Sequence, residues 1–427
     1  MEPSSCSALF CLPHPELCGA YRNVWCPRRS VGSSCRSTAA TLPGAGMTHR
    51  RMIRGATLLA LLLASAGAAA QGAAVARGAQ VQAVTEASAR EVAALIAQPG
   101  FADVVRGTLV ASPEQGVALD AVMERFDPGV RTRASASLAR NDQQLRQAKG
   151  LPEQGEGLLQ LRAYVPEGQS LADIAPRQLW VASLPRGNDR DWTTLTAYDA
   201  QGRAHVLDAK RAPAFPVLIV DVDTRRSVQE GMALVNAGLR ARGLQSPERI
   251  QLSADGTRAA LDITRLDRIR LADDQEPWAL GAAEVFAVVS GLQIGKAEPE
   301  MATVDMPYLD YDKTDYTPQQ ALILWGNYRF NAANVQLFED DGDTNYQDLL
   351  VALSNGVKAA LGAFAPEYAV IADIAGAILK AMPTSWFSND IDYLDSFYLV
   401  QRGQAYTDRM GAANNARVTL TPITLVE

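Results

Sequence analysis

The positions of the cysteines constrain this chain more than any other feature of its sequence. All five lie upstream of an apolar run, Leu58-Leu59-Ala60-Leu61-Leu62-Leu63-Ala64, that is typical of a secretory signal. If the signal is removed, the exported chain contains no thiol and one imidazole, that of His205. The chain must therefore fold by burying a hydrophobic core without disulfide bonds. Thiol catalysis is excluded, and zinc sites and histidine-based triads have almost no residues to use.

The signal contains the three parts of a signal peptide in order. Its positively charged start contains Arg50, Arg51 and Arg54. Residues 56–66 form the apolar part, and Ala68-Ala69-Ala70 offers the cleavage pattern before Gln71. The apolar part is too short for a bilayer core of about 30 Å, which favours cleavage over a membrane anchor. The sequence predicts an over-extended start over 1–46, a signal peptide over 47–70, and a secreted or periplasmic product.

Charge argues against nucleic acid as a partner. Removing residues 1–70 takes away seven arginines and two glutamates, so 33 basic and 45 acidic residues remain and the net charge is about −12. Nucleic-acid affinity comes largely from Lys and Arg side chains that displace condensed counterions, which such a surface does not favour. The remaining 357 residues are enough for two or three domains, with no integral membrane segment expected in the mature chain.

The hydrophobic period divides the mature chain into predicted domains. Residues 71–150 have apolar residues three to four apart, which is typical of short helices. Residues 151–262 alternate as strands do, and Pro216-Val217-Leu218-Ile219-Val220 has no alternation, which indicates a strand buried on both faces. A helix is predicted over 227–242, with Ser227 as its N-cap and Glu230 in the capping-box position.

The last predicted domain, residues 263–427, contains strand-like segments that suggest a β-sandwich. Within it, residues 345–383 hold two apolar helical segments separated by Ala365-Pro366. Because the second is interrupted by Asp373, we favour an αα-hairpin packed on the sandwich over a membrane-active hairpin. The predicted fold class is α+β: an N-terminal small helical region, a middle mixed sheet with one packed helix, and a C-terminal β-sandwich with an αα-hairpin insertion.

Acidic loops of the predicted sandwich supply the candidate metal ligands. These are Asp310, Asp312, Asp340, Asp341, Asp343, Asp390, Asp392 and Asp395. Loops at one end of a sandwich can converge, and calcium takes about six to eight oxygen ligands. The run at 341–345 lacks the glycine and glutamate of an EF-hand loop at their required offsets. Calcium is the candidate cofactor; the alternative is that these aspartates lie in solvated turns.

Familiar catalytic motifs such as Gly-x-Ser-x-Gly, His-Glu-x-x-His and the P-loop do not occur after residue 70. His205 lies on an alternating strand, and we interpret it as a surface or hydrogen-bonded strand residue. Asp221 and Asp223 end the buried strand, where carboxylates often meet ligands. They can equally cap the following turn, which is the interpretation that we favour.

Three segments carry a resemblance to a known family. They are Glu276-Pro277-Trp278-Ala279-Leu280-Gly281-Ala282-Ala283-Glu284-Val285-Phe286, Asp305-Met306-Pro307-Tyr308-Leu309-Asp310-Tyr311-Asp312 and Ala333-Asn334-Val335-Gln336-Leu337-Phe338-Glu339-Asp340-Asp341. From about Glu86 onward, the chain resembles a family of secreted bacterial proteins defined only as a domain of unknown function. This resemblance implies an extracytoplasmic bacterial protein and supplies no catalytic residues. More loosely, the order of acidic loops is similar to the calcium-binding end of C-two-type sandwich domains, although the long segment between Asp343 and Asp390 departs from that pattern.

Together these patterns favour a secreted, non-enzymatic binding or structural protein with a calcium-stabilised sandwich. The expected partner is a protein, a glycan or another surface ligand. The alternative is a secreted hydrolase that uses carboxylates, with Asp221 and Asp223 or the acidic loops as its centre. The two hypotheses differ in whether Asp310, Asp340 and Asp392 converge on an open cleft, on a closed cage, or not at all.

Overall fold

The computed structural model describes the residues after 76. Gaps in this description are at 111–112, 127–132, 188, 248–250, 253–258, 274–277, 296–297, 341, 361–366, 382–390 and 427. The predicted extension over 1–46 and signal peptide over 47–70 therefore lie outside the described residues. The same holds for two candidate metal ligands, Asp341 and Asp390.

Helices make up the N-terminal region. They are α1 (77–96), α2 (Phe101–Leu109), α3 (Leu119–Phe126) and α4 (Arg133–Ala148). Helix α2 begins directly after Gly100. The φ of Gly100 is 83°, which lies in the left-handed region that glycine adopts readily. Phe101 and Leu109, at the two ends of α2, are fully buried. The predicted small helical region is confirmed.

The middle region contains a mixed sheet, sheet A. Its strands are β1 (Val117–Ala118), β2 (Leu159–Tyr164), β3 (Val181–Ser183), β4 (Thr194–Tyr198), β5 (Ala204–Asp208) and β6 (Val217–Val222). Their order is β1-β2-β6-β3-β4-β5, with β3 and β6 parallel and the other neighbours antiparallel. Strand β6 lies inside the sheet and is buried throughout, as its lack of alternation predicted.

Helix α5 (Thr224–Ala241) follows β6 and begins earlier than the sequence analysis predicted. Asp223 is its N-cap, and the carboxylate accepts the N–H of Arg226 at 2.9 Å. The predicted N-cap, Ser227, was wrong, because Asp223 already supplies a strong cap at the end of the strand. Ser227 lies inside the helix, where its hydroxyl donates to the carbonyl of Thr224 at 3.0 Å. Asp223 thus caps the turn as we favoured, whereas Asp221 has other partners.

The C-terminal region is a β-sandwich, as predicted. Sheet B contains β7 (Gln251–Leu252), β8 (Ala259–Leu271), β11 (Gln320–Leu324), β14 (Tyr406–Met410) and β15 (Ala416–Val426). Sheet C contains β9 (Val285–Leu292), β10 (Pro299–Asp305), β12 (Ala332–Asp340) and β13 (Ile391–Gln401), in the order β10-β9-β12-β13. Side chains of both sheets share one core, for example Leu266 and Val418 of sheet B with Val289 and Val335 of sheet C.

The inserted helices α6 (Tyr346–Ala360) and α7 (Glu367–Ala381) lie between β12 and β13 in the chain; α7 packs on sheet C, and α6 packs on α7 and α5. Asn334 of β12 donates to the carbonyl of Ile371 at 2.5 Å, and Gln336 donates to that of Ala375 at 3.3 Å. Ile371 and Ala375 are fully buried. The predicted αα-hairpin on the sandwich is therefore confirmed. Within the described part of the chain, no helix is both long enough and apolar enough to cross a membrane.

Helix α5 packs closely against α6 because glycines of α5 face large side chains of α6. A Cβ added at Gly231 would lie 2.3 Å from the ring of Tyr346, and one at Gly238 would lie 2.1 Å from Leu350. The largest hydrophobic core runs from α1 through sheet A, α5 and α6 to one face of sheet C. This packing brings the end of β12 close to the ends of β6 and α4.

Candidate functional site

Buried charged side chains meet where α4, β6 and β12 end. We call this group the charge cluster; its members are Lys149, Arg162, Arg186, Asp221, Asp340 and Asp343. Each of these side chains is at most 5% exposed. Ionised groups at such burial are expected only where partners of opposite charge lie close by.

Arg186 connects two carboxylates of the charge cluster. Its guanidinium pairs with Asp221, and its Nε lies 3.4 Å from Oδ1 of Asp343. Arg162 lies 3.8 Å from the other oxygen of Asp221. Burial lowers the pKa of Arg186, but the neighbouring carboxylates outweigh it and raise that pKa overall, so the side chain stays a cation. Burial raises the pKa of Asp343 to about 6 against the opposing charges of Arg186 and Lys149.

The second half of the charge cluster is built around Asp340. Its Oδ1 lies 3.8 Å from Nζ of Lys149 and accepts the N–H of Gly342 at 2.8 Å. Its Oδ2 accepts the hydroxyl of Tyr346 at 2.5 Å, and that hydroxyl lies 3.2 Å from Oγ of Ser227. Burial, reinforced by the charge of Asp340, raises the pKa of Tyr346 well above its usual value. Tyr346 therefore acts as a hydrogen-bond donor.

Glu284 borders the charge cluster and was not singled out by the sequence. Its carbonyl accepts the N–H of Asp340 at 3.1 Å. The residue is only half-buried as a whole. Burial of its carboxyl group nevertheless raises the pKa of Glu284 to about 8. A hydrogen bond with Thr224 opposes this rise, and the negative charge of Asp340 adds to it. Glu284 is mostly protonated at neutral pH. No local sequence pattern around Glu284 could have revealed its raised pKa, because the neighbouring groups belong to α5 and β12.

The predicted metal ligands are distributed over several places. Asp340 and Asp343 belong to the charge cluster, Asp310 pairs with Arg225 at 2.6 Å, and Asp312 pairs with the lysine that follows it. Among the described residues, no group of three or more His, Cys, Asp or Glu side chains could hold a metal ion. Asp340 and Asp343 lie beside Lys149 and Arg186, so cations of the chain itself already balance part of their negative charge. Calcium binding remains a prediction.

Two further candidate ligands lie on β13. The fully buried Asp395 accepts hydrogen bonds of 2.7–2.9 Å from backbone N–H groups, those of Ser396, Ala413, Asn415 and Ala416. Asp395 thereby fixes the turn between β14 and β15. Asp392 is half-buried and lies opposite Glu339 in the register of β12 and β13.

Aromatic side chains form a second feature, on sheet A. We call Trp180, His205 and Phe215 the aromatic group. The imidazole stacks on the indole with ring centroids 4.1 Å apart and planes 13° apart, and Phe215 meets the indole edge-on at 5.1 Å. All three residues are half-buried. Trp180 and Phe215 pack against a small core that includes Leu195 and Leu207.

Polar groups border the aromatic rings. His205 Nε2 lies 2.9 Å from Oδ2 of Asp199, so His205 is a hydrogen-bonded strand residue, as interpreted from the sequence. The same oxygen accepts Nε of Arg203 at 2.7 Å, and the side chain of Arg203 is 71% exposed. Burial opposes the charge of Asp199, but hydrogen bonds from His205 and Arg203 outweigh it and hold the pKa of Asp199 well below its usual value.

Comparison with known proteins identifies a family for most of the chain. The family model described as Protein of unknown function (DUF3103) matches residues 90–427. Neither a curated protein nor a solved structure matches the chain significantly. The similarity to C-two-type calcium-binding domains is therefore not shown by these comparisons. Because the match covers sheet A and the whole sandwich, the chain belongs to the DUF3103 family.

Proposed function

We propose that this chain is an extracytoplasmic, non-enzymatic binding protein that recognises its ligand through the aromatic group. The observation that carries the proposal is that half-buried, stacked rings lie beside a carboxylate, that of Asp199, which bonds both the imidazole of His205 and the exposed guanidinium of Arg203. Ligand sites commonly combine apolar and aromatic surface with a few fixed polar groups. The stacking and the hydrogen bond to Asp199 hold these polar groups in place before any ligand arrives.

The carboxylates that a hydrolase would use are less available. Asp221 is 4% exposed and lies between two arginines. Asp223 is engaged as the N-cap of α5. Glycoside hydrolysis requires two carboxyl groups that flank the scissile bond of a bound substrate, which a buried ion pair does not offer. These contacts support binding over hydrolysis, and they support a structural role for the charge cluster.

A neutral glycan is the ligand class that fits the aromatic group best. The apolar face of a sugar ring can pack on an aromatic side chain, and sugar hydroxyls can bond to imidazole and guanidinium groups. The mature chain has a net charge of about −12, which disfavours polyanionic ligands by long-range repulsion.

The experiment is calorimetric titration of the mature protein with a panel of soluble neutral polysaccharides. Trp180→Ala and His205→Ala are each expected to weaken binding by about tenfold, which corresponds to about 1.4 kcal/mol. Tyr311→Ala is the matched control, because Tyr311 is 44% exposed and lies outside the aromatic group. Binding to none of the polysaccharides, or equal affinity of all variants, would contradict the proposal.

A further inference from the structure

Lys149 and Asp340 form a fully buried pair. Both side chains are 0% exposed, although lysine is almost never fully buried in proteins. Nζ of Lys149 lies 3.8 Å from Oδ1 of Asp340. Lys149 follows α4, whereas Asp340 ends β12, so the pair joins the N-terminal helices to the sandwich.

Each oxygen of Asp340 has a separate hydrogen-bond donor. The N–H of Gly342 donates to Oδ1 at 2.8 Å, where it can stabilise the negative charge that develops on a carbonyl oxygen during nucleophilic attack. The hydroxyl of Tyr346 donates to Oδ2 at 2.5 Å, where it can protonate a departing oxygen. Oγ of Ser227, at 3.2 Å from that hydroxyl, can pass a proton back to it.

The amino group of Lys149 is also held in place. Nζ donates to the carbonyl of Gly342 at 2.9 Å and lies 5.3 Å from the centre of the Tyr346 ring. Fixing a nucleophile beside its target in a buried site raises the effective concentration of the nucleophile by many orders of magnitude. The pair therefore combines a nucleophile, an acyl carbon, an oxyanion donor and a proton donor.

We propose that, once the chain has folded, Lys149 and Asp340 join through an amide bond between Nζ and Cγ. Nζ first gives a proton to the carboxylate and then attacks Cγ. The Cγ–Oδ2 bond breaks, and Oδ2 leaves as water with two protons from the original ammonium group, one relayed through the hydroxyl of Tyr346. One ammonium and one carboxylate become one amide and one water, so the step needs no oxidant, metal or other co-reactant.

This cross-link is independent of the proposed binding function. It would tie the helical region to the sandwich in a mature chain whose sequence contains no cysteine after Cys35. A covalent link between distant segments restricts the unfolded chain, as a disulfide does, and therefore stabilises the folded state.

Intact mass spectrometry of the denatured mature protein tests the proposal. The expected mass is that of the sequence less one water, and trypsin should leave the chain uncut after Lys149 and release a branched peptide that contains Asp340. Lys149→Arg should restore the full sequence mass, whereas the control Lys380→Arg, at an exposed position, should retain the water loss. Tyr346→Phe should slow the appearance of the lighter species.

The decisive reading is made on the unaltered chain, so it does not depend on the folding of any variant. A full sequence mass after prolonged incubation of the folded protein would overturn the proposal and leave Lys149 and Asp340 as an ion pair. A water loss that peptide mapping assigns to other residues would overturn it as well.

Discussion

Replacing Arg186 by methionine should expose the energetic role of the charge cluster. Arg186 is the cation between Asp221 and Asp343, and all three side chains are at most 4% exposed. Methionine retains an unbranched side chain of similar reach but no charge. The substitution therefore leaves two buried carboxylates, of which Asp221 retains Arg162 at 3.8 Å.

The expected loss of stability is about 3 kcal/mol at pH 7. Removing one partner of a buried ion pair costs about 3–5 kcal/mol, and the remaining Arg162 favours the lower end. The loss should depend on pH, because the folded-state pKa of Asp343 is already raised to about 6. An acid with a raised folded-state pKa destabilises the fold as pH rises toward that pKa. Without Arg186 the folded-state pKa of Asp343 rises further. The stability lost through Arg186→Met should therefore be smaller at pH 5 than at pH 7. The difference is about 1.4 kcal/mol for each unit by which the pKa of Asp343 rises, counted up to pH 7.

Urea unfolding at pH 5 and pH 7 measures both effects. A variant that combines Arg186→Met with Asp343→Asn should recover most of the loss, because Asp343 then carries no buried charge and Asp221 retains Arg162 as its partner. Arg203→Met is the matched control: the side chain is 71% exposed, and exposed ion pairs contribute at most about 1 kcal/mol. If Arg186→Met is as stable as the control at pH 7, the reasoning about buried charge is wrong.

Gly231→Ala should destabilise the fold by about 1–3 kcal/mol in urea unfolding, because a Cβ there would lie 2.3 Å from the Tyr346 ring. At Gly376 nothing lies within 4 Å, so alanine should be neutral or add up to about 1 kcal/mol, and equal effects at both sites would contradict the packing. The folded-state pKa of Glu284 is about 8, above its ordinary 4.5, so wild-type stability should fall as pH rises through this window. The melting temperature of Glu284→Gln should fall less over the same pH range than that of the wild type. Identical dependence of the two melting temperatures on pH would refute the raised pKa of Glu284. Calcium is predicted to raise the melting temperature relative to chelator, and Asp392→Asn to reduce that rise; coincident wild-type curves would reject calcium.

Much of the fold was predictable because its main elements carry strong local patterns. Strand β6 has an unbroken apolar run, and α6 and α7 are apolar segments broken by Ala365-Pro366. Strand β14 has no such pattern. In β14, Asp408 and Arg409 interrupt a short segment whose residues are all at least partly exposed at the edge of sheet B. An edge strand buries few side chains, so its sequence has little hydrophobic periodicity to detect.

The candidate sites were less predictable, because their partners come from distant segments. The sequence singled out Asp340 and Asp343 as carboxylates of interest, but Lys149 and Arg186 lie in segments without any motif. Whether an aspartate faces a metal ion or a lysine depends on how α4 and sheet A pack on the sandwich. His205 was placed correctly on a strand, but its contact with Trp180 depends on the order of the strands in sheet A.

Strand β6 connects the charge cluster to the support of the aromatic group. Val217 and Ile219 pack into the small core against which Trp180 also packs, and Asp221 lies two residues further on. Alternate residues of a strand share a face, so these three residues lie on the same face of sheet A. A rigid support reduces the conformational entropy that is lost when side chains are ordered by a ligand.

We therefore expect Arg186→Met to weaken the proposed glycan binding by several-fold, although Arg186 is buried and would not touch the ligand. Asp221 would lose Arg186 as its partner, which would loosen the end of β6. The side chains of the aromatic group would then have a wider range of positions. Calorimetric titration, well below the melting temperature of the variant, measures this effect, and the variant that combines Arg186→Met with Asp343→Asn should regain affinity together with stability. Unchanged affinity in a destabilised Arg186→Met protein would show that the two features are energetically independent.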